Sequence, residues 1–81
     1  MPVYYFHVLK NGDRRPDADG LDLADSHAAW DEATTALGEM IQFADGRLSP
    51  GAEWQIDVAD HSGKTVHRLR FTAQSFEEGR K

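Results

Sequence analysis

The first hydrophobic segment of the chain has apolar side chains on both of its alternating faces. Residues 3–9, VYYFHVL, are rich in β-branched and aromatic residues and predict a strand. Because successive side chains of a strand point to opposite sides, one face carries Tyr4, Phe6 and Val8. The other carries Val3, Tyr5, His7 and Leu9. We expect the first set to face the core, since Phe6 and Val8 are better core residues than His7, and the second set then needs another cover.

The longest periodic segment predicts one helix, from about residue 26 to residue 45. Apolar residues recur in it at spacings of three and four: Ala29, Trp30, Ala33, Leu37, Met40, Ile41 and Ala44. Asp25 or Ser26 can accept hydrogen bonds from the free N–H groups of the first turn, and Gly46 can end the helix. No Lys or Arg lies between residues 25 and 45, so ion pairs within the helix cannot support it. We therefore expect the helix to depend on packing, with Trp30 buried.

The last third of the chain predicts a β-hairpin with arms at residues 53–59 and 64–71. The polar sequence DHSG separates the two arms. Apolar residues alternate with polar ones in the first arm and should face the core: Trp54, Ile56 and Val58. If residues 60–63 form a four-residue loop, counting back along the two arms pairs Trp54 with Leu69. A bulge near residues 66–68 would change this register.

The segment between the first strand and the helix is predicted to be mostly loop. Asn11-Gly12 is a turn signal, because both residues tolerate a positive φ. Residues 13–20 are polar and allow at most a short edge strand, and residues 21–23 could add another. The order strand, loop, helix and hairpin predicts an α+β fold, in which a small antiparallel sheet packs on one main helix.

The length of 81 residues allows one domain with a single core. We expect this domain to span residues 1–73 and the polar residues 74–81 to form a flexible tail, with Phe76 as the exception. The chain has no cysteine, which excludes disulfides, thiolate zinc sites and cysteine nucleophiles and favours a reducing cytoplasm. It also has no signal-peptide pattern and no apolar run that could span a membrane.

The net charge of −5 is unevenly distributed. Residues 1–45 hold nine carboxylates against three Lys and Arg, a net charge of −6, and residues 46–81 hold five against six, a net charge of +1. An acidic surface repels phosphate, which argues against binding of nucleic acid. It would face a basic protein surface more comfortably, although acidic surfaces mostly keep proteins soluble.

Several motifs together resemble a known family. They are the opening PVYYFHV with its YYFH motif, the NG turn, an extended LxL after DxxG, the alanine-rich helix and the closing WQIDVADHSGKTV. Over about residues 2–72 the chain resembles a group of small uncharacterised bacterial proteins, found in alphaproteobacteria such as the rhizobia and described as a domain of unknown function. The resemblance implies a cytoplasmic domain with a sheet and one main helix. It implies no activity, cofactor or catalytic residue.

Four histidines raise the question of a metal site, but none of their spacings places two imidazoles on one side of one element. A zinc site from His7, His67 and Asp57 requires their strands to be neighbours. The sequence DADGLD resembles a calcium loop, yet the first and last ligand positions would be Arg15 and Ser26, which lack the required carboxylates. Ser62 beside His61 is not surrounded by a nucleophile motif. We therefore predict no catalytic residue, metal or cofactor.

The remaining candidate is the second face of the sheet, where aromatic and apolar groups mix with arginine. This mixture is typical of interface centres, and the predicted interface residues are Tyr5, His7, Leu9, Val66, Arg68 and Arg70. A solvated face with arginine stems over tyrosine rings explains the same pattern without a function. We expect a non-enzymatic domain that acts through protein–protein contact, either as a homodimer or with another protein. The alternatives are the acidic helix face and a small-ligand or metal site near His7 and His67.

Overall fold

A computed structural model describes residues 1–77 of the chain and shows an antiparallel sheet of five strands with one helix on one face. The elements in chain order are β1 (Val3–Lys10), β2 (Asp13–Arg15), β3 (Leu21–Asp22), α1 (Ser26–Phe43), β4 (Glu53–Ala59) and β5 (Thr65–Thr72). The predicted α+β class is confirmed. Of the predicted tail, residues 74–77 form neither helix nor strand, and Phe76, expected to be the anchored exception, is 89% exposed. Residues 78–81 lie outside the described part.

The strands follow the order β2-β1-β4-β5, and β3 also pairs with β1. Backbone hydrogen bonds show that β2 and β3 share one edge of β1. Glu53 accepts a bond from the Asn11 N–H, so odd-numbered residues of β1 direct their backbone groups to β4. The even-numbered residues face the other edge, where the Leu23 N–H donates to the Pro2 carbonyl at 3.0 Å. We call this side of β1, along which β2 and β3 lie, the covered edge.

The core lies between β1, β4 and the helix, as the alternating pattern predicts. Trp54, Ile56 and Val58 are buried on one face of β4, and Tyr4 is buried beside them on β1. The helix presents the fully buried Ala29 and Ala33 to this face, together with other half-buried apolar residues. The small alanine side chains let the helix approach the sheet closely. The prediction that Tyr4 rather than Tyr5 faces the core is therefore confirmed.

The helix begins at its predicted cap but buries less than expected. Asp25 accepts a hydrogen bond at 2.9 Å from the Ala28 N–H, which satisfies a free donor of the first turn. The helix ends at Phe43, two residues earlier than predicted, and the chain turns through Asp45 and Gly46, with φ of 52° and 78°. Trp30 is 40% exposed, so the prediction that it is buried is wrong.

The register of the β4–β5 hairpin differs from the predicted one by two residues. Trp54 pairs with Phe71 instead of Leu69, because the connection is one residue longer than four and Val66 is an additional, bulged residue. The predicted alternative of a bulge near residues 66–68 is therefore confirmed. A shift of two residues leaves the faces of a strand unchanged. Arg68 and Arg70 therefore still lie on the predicted side of the sheet.

Candidate functional site

The sheet surface opposite the helix carries five of the six predicted interface residues, and we call it the outer face. They lie in two neighbouring cross-strand rows, His7–Asp57–Arg68 and Leu9–Gln55–Arg70, with Tyr5 beyond His7 on β1. The sixth residue, Val66, does not join them. It packs against the core cluster because the bulge turns it toward the helix side.

An ion pair organises the first of these rows. The Arg68 guanidinium donates two hydrogen bonds to the Asp57 carboxylate, from Nε at 2.7 Å and from Nη2 at 3.1 Å. The Gln55 amide donates a third to the same carboxylate at 3.1 Å. Hydrogen bonding to Arg68 lowers the pKa of Asp57 from its ordinary value and outweighs the opposing effect of burial. Asp57 is therefore a poor proton acceptor at neutral pH, and the pair acts as a fixed polar contact.

The second row is more open. Leu9 is half-buried between Gln55 on β4 and Arg14 on β2, and Arg70 is exposed at the far end of the row. Within residues 1–77 Arg70 makes no ion pair. An apolar side chain with an arginine on either side is thus presented on the outer face.

A loop covers the Tyr5 end of the outer face. Gly20 lies so close to β1 that a Cβ there would be 2.5 Å from Val3 Cγ1 and 2.9 Å from Tyr5 Cε2. The Tyr5 and His7 rings are nearly parallel, with centroids 6.5 Å apart. The Asp17 N–H donates to His7 Nδ1 at 3.0 Å, which makes Nδ1 the acceptor and places the proton of a neutral ring on Nε2. The loop therefore covers part of the surface that the sequence leaves without a cover.

Asp17 fixes this loop through the backbone. Its carboxylate accepts hydrogen bonds from the Phe6, Asp19 and Gly20 N–H groups, at 3.1, 3.1 and 3.2 Å. Burial acts to raise the pKa of Asp17, but these three bonds together lower it from its ordinary value. The Asp17 oxygens are thus occupied by backbone donors, which accounts for the acidic DADGLD sequence without a cation.

The alternative site near His7 and His67 is wrong, because the two side chains lie on opposite faces of the sheet. His67 pairs with Val58 on the helix side, where its Nε2 donates to the Ser26 carbonyl at 2.8 Å. Its ring also meets the Trp30 ring edge-on, with centroids 5.3 Å apart. In the described residues no three His, Asp or Glu side chains are grouped so that they could hold a metal ion.

Sequence reasoning missed the outer edge of β5. The strand pairs with β4 on one side, and no strand of the described chain pairs with its other side. We call this side the open edge. The alternation of Arg68 and Arg70 with Leu69 and Phe71 is a signal for such an edge, since charged residues commonly protect edge strands. The signal could be used only with the strand order, which the sequence does not reveal.

Comparison with known families gives one finding. The sequence model of a domain of unknown function, DUF6894, matches residues 3–72, from the start of β1 to the end of β5. Comparison with curated proteins and with solved structures gives no match. No helix in residues 1–77 is both long and apolar enough to cross a membrane.

Proposed function

We propose a function for this chain, which belongs to the DUF6894 family of domains of unknown function: it is a non-enzymatic domain that binds another protein through the outer face of its sheet. The observation that carries the proposal is the second cross-strand row. Leu9 is presented there between Arg14 and Arg70, on a sheet that has its helix layer on the opposite face. Arginine is enriched at interface centres, and the Leu9 side chain beside Arg14 adds apolar area that a partner can cover.

The partner we propose presents an acidic surface with an apolar residue at its centre. Arg70 is exposed and makes no ion pair in residues 1–77, so it can bind a carboxylate of the partner with both of its terminal nitrogens. A second copy of this chain is a poorer partner for the outer face, because stacking two outer faces would bring Arg14 and Arg70 of one copy against those of the other. Self-association is therefore an outcome of the test and not the proposal itself.

The non-enzymatic part of the proposal draws support from the acids near this face. Asp17 and Asp57 both have a pKa lowered by hydrogen bonds and are engaged within the fold, whereas an acid–base catalyst needs a pKa near the working pH. We place the domain in the cytoplasm, in line with its cysteine-free composition.

The first experiment is the solution mass across a concentration series, followed by capture of binding proteins on immobilised domain. We expect a mass of 9.1 kDa at every concentration and a captured protein that the Leu9→Glu variant no longer retains. A matched variant, Glu32→Lys, changes the exposed acidic face of the helix and should retain it. Both variants must keep the circular dichroism spectrum of the parent.

Two outcomes would overturn the proposal. A mass that doubles with concentration and returns to 9.1 kDa in Leu9→Glu would assign the outer face to a homodimer. Loss of the captured protein in Glu32→Lys, with retention in Leu9→Glu, would assign the contact to the acidic helix face.

A further inference from the structure

Within residues 1–77, the backbone of β5 has hydrogen-bonding groups at the open edge that pair with no strand. Because the Glu53 carbonyl accepts a bond from the Asn11 N–H at the end of β1, the backbone groups of the next residue of β4, Trp54, face β5 and its partner Phe71. The Ala73 N–H donates to the Ala52 carbonyl at 3.0 Å, two residues further along, which agrees with this alternation. The N–H and C=O groups of the intervening positions therefore point away from the sheet: Arg68, Arg70 and Thr72.

These three positions present a short row of backbone N–H and C=O groups at the open edge. All three residues are exposed, and within residues 1–77 no strand pairs with them. We infer that the open edge binds an extended, acidic strand of a partner protein, which adds a sixth strand to the sheet. The inference rests on the proposed function only because both treat the chain as an interaction domain. It concerns a second surface, the open edge, and names the chemistry of the strand that binds there.

Charge determines which strand fits. In an antiparallel pair, residues directly opposite each other project to the same face of the sheet. Residues of an incoming strand opposite Arg68 and Arg70 would therefore stand beside the two guanidinium groups on the outer face. A carboxylate opposite Arg70 would pair with it, because Arg70 makes no ion pair in the described chain. Arg68 contributes less, because its Nε and Nη2 already donate to Asp57 on β4 and mainly Nη1 is left for a second carboxylate.

The residues between those carboxylates would point to the helix side of the sheet. Trp30 lies there, 40% exposed and in contact with His67 of β5. Ile41 follows Trp30 along the same flank of α1, three turns further on, and is half-buried. Apolar residues at the alternate positions of the strand would cover this flank. The expected partner segment thus alternates acidic and apolar residues.

A second copy of the chain is excluded as the intended occupant by the same charges. Antiparallel pairing of β5 with its own copy, centred on Leu69, places Arg68 opposite Arg70 of the other copy, and the reverse. Like charges directly opposite each other are unfavourable, and charged residues on edge strands prevent such pairing. The arginines therefore select against self-pairing and for an acidic strand.

The test is a titration of ¹⁵N-labelled protein with a synthetic nine-residue peptide of alternating glutamate and valine. We expect chemical-shift changes in β5 and at the Trp30 indole, and slower hydrogen exchange of the Arg68, Arg70 and Thr72 amides. Binding should weaken as salt is added. A lysine–valine peptide of the same length should bind at least tenfold more weakly, and so should a glutamate–valine peptide with methylated alternate amides.

Two variants separate the backbone from the charge. Thr72→Pro removes an outward N–H without removing a bond to β4, so it should preserve the fold and weaken peptide binding at least tenfold. Arg70→Glu should weaken it similarly, whereas Arg70→Lys should retain most of the affinity. Unchanged amide shifts in β4 serve as the control for folding.

The inference is overturned if the lysine peptide binds equally well, if the shift changes centre on Leu9, or if Thr72→Pro binds like the parent. Absence of binding at millimolar peptide overturns it as well. The Leu9→Glu variant keeps the two proposals apart, because it should bind the peptide normally while losing the partner of the outer face. Failure of one proposal is therefore visible without failure of the other.

Discussion

The sides of β1 and β5 that face away from β4 are protected in different ways. At the covered edge the chain returns on itself, so that β2, the Asp17 carboxylate and β3 occupy the edge of β1 in turn. At the open edge no strand of residues 1–77 pairs with β5, and the charged side chains of Arg68 and Arg70 lie beside its outward backbone groups. We therefore expect the covered edge to determine the stability of the fold and the open edge to determine association with other chains.

The largest expected effect is at Gly20, which brings the returning loop against β1. Gly20→Ala combines a positive φ of 75° with a Cβ only 2.5 Å from Val3. Conformational strain and overpacking should together lower the free energy of unfolding by about 2–4 kcal/mol. Urea denaturation at neutral pH measures this loss.

Two other glycines are matched controls for that measurement. Gly46 has a similar φ of 78° but no atom within 4 Å of the added Cβ, so Gly46→Ala should lose only about 1 kcal/mol. Gly38 lies in the helix with open space around it, and Gly38→Ala should gain about 0.5–1 kcal/mol. Equal losses at Gly20 and Gly46 would show that the loop does not press on β1.

The next effect concerns Asp17, which bonds the backbone of β1 where no strand does. Asp17→Ala leaves the part-buried Phe6 N–H without its acceptor and should lower the free energy of unfolding by about 1–3 kcal/mol. Asp17→Asn keeps an acceptor oxygen and should lose less. If both variants unfold at the same urea concentration as the parent, the covered edge does not depend on this side chain.

The pH dependence of stability follows from the same carboxylate and from Asp57. Both have a folded-state pKa below the ordinary value of 3.8, so at low pH the unfolded chain binds more protons than the folded chain. The stabilisation is complete well above that value and is lost as the pH falls through it toward the folded-state pKa. Denaturation between pH 6 and pH 2 should show this decline, with a shallower acid limb in Asp17→Asn, and an unchanged limb would contradict it.

A smaller effect distinguishes the two histidines that lie one near each edge. His67→Leu removes the bond to the Ser26 carbonyl, and His7→Leu removes the bond from the Asp17 N–H. Each should lower the free energy of unfolding by about 1 kcal/mol. Only His7→Leu should speed hydrogen exchange in the 16–20 loop. Faster exchange of that loop in His67→Leu would mean that the two edges are coupled.

The smallest effect on stability, and the largest on association, is expected at Arg70. Arg70→Val should change the free energy of unfolding by less than about 0.5 kcal/mol, because the side chain is exposed. It removes charge from the open edge, so the mass by light scattering should rise with concentration. Arg47→Val, an exposed change away from the sheet, should remain at the parent mass.

The sequence was sufficient to predict the elements and most of their buried residues, although Trp30 of α1 is 40% exposed. The two-residue period of β4 predicts the burial of Trp54, Ile56 and Val58, and the three- and four-residue spacing of α1 predicts that of Ala29 and Ala33. These patterns depend on local periodicity, which the chain carries in every segment.

Features that depend on distant parts of the chain could not be predicted in the same way. The bulge at Val66 and the longer turn shifted the β4–β5 register from the predicted one, and the bulge removed Val66 from the predicted interface. The open edge of β5 depends on the strand order: the charged residues Arg68 and Arg70 favour an edge strand, but they do not determine which strands pair.

The bulge at Val66 affects the lifetime of any complex that forms at the open edge. It interrupts the alternation of β5, so a docked strand meets regular backbone only from Arg68 to Thr72, a distance of roughly 14 Å. So few hydrogen bonds break quickly, and affinity differences between related complexes reside mostly in the dissociation rate. The same interruption hinders the in-register addition of strands that extends amyloid fibrils. The bulge thus makes the edge suitable for brief, exchangeable contacts.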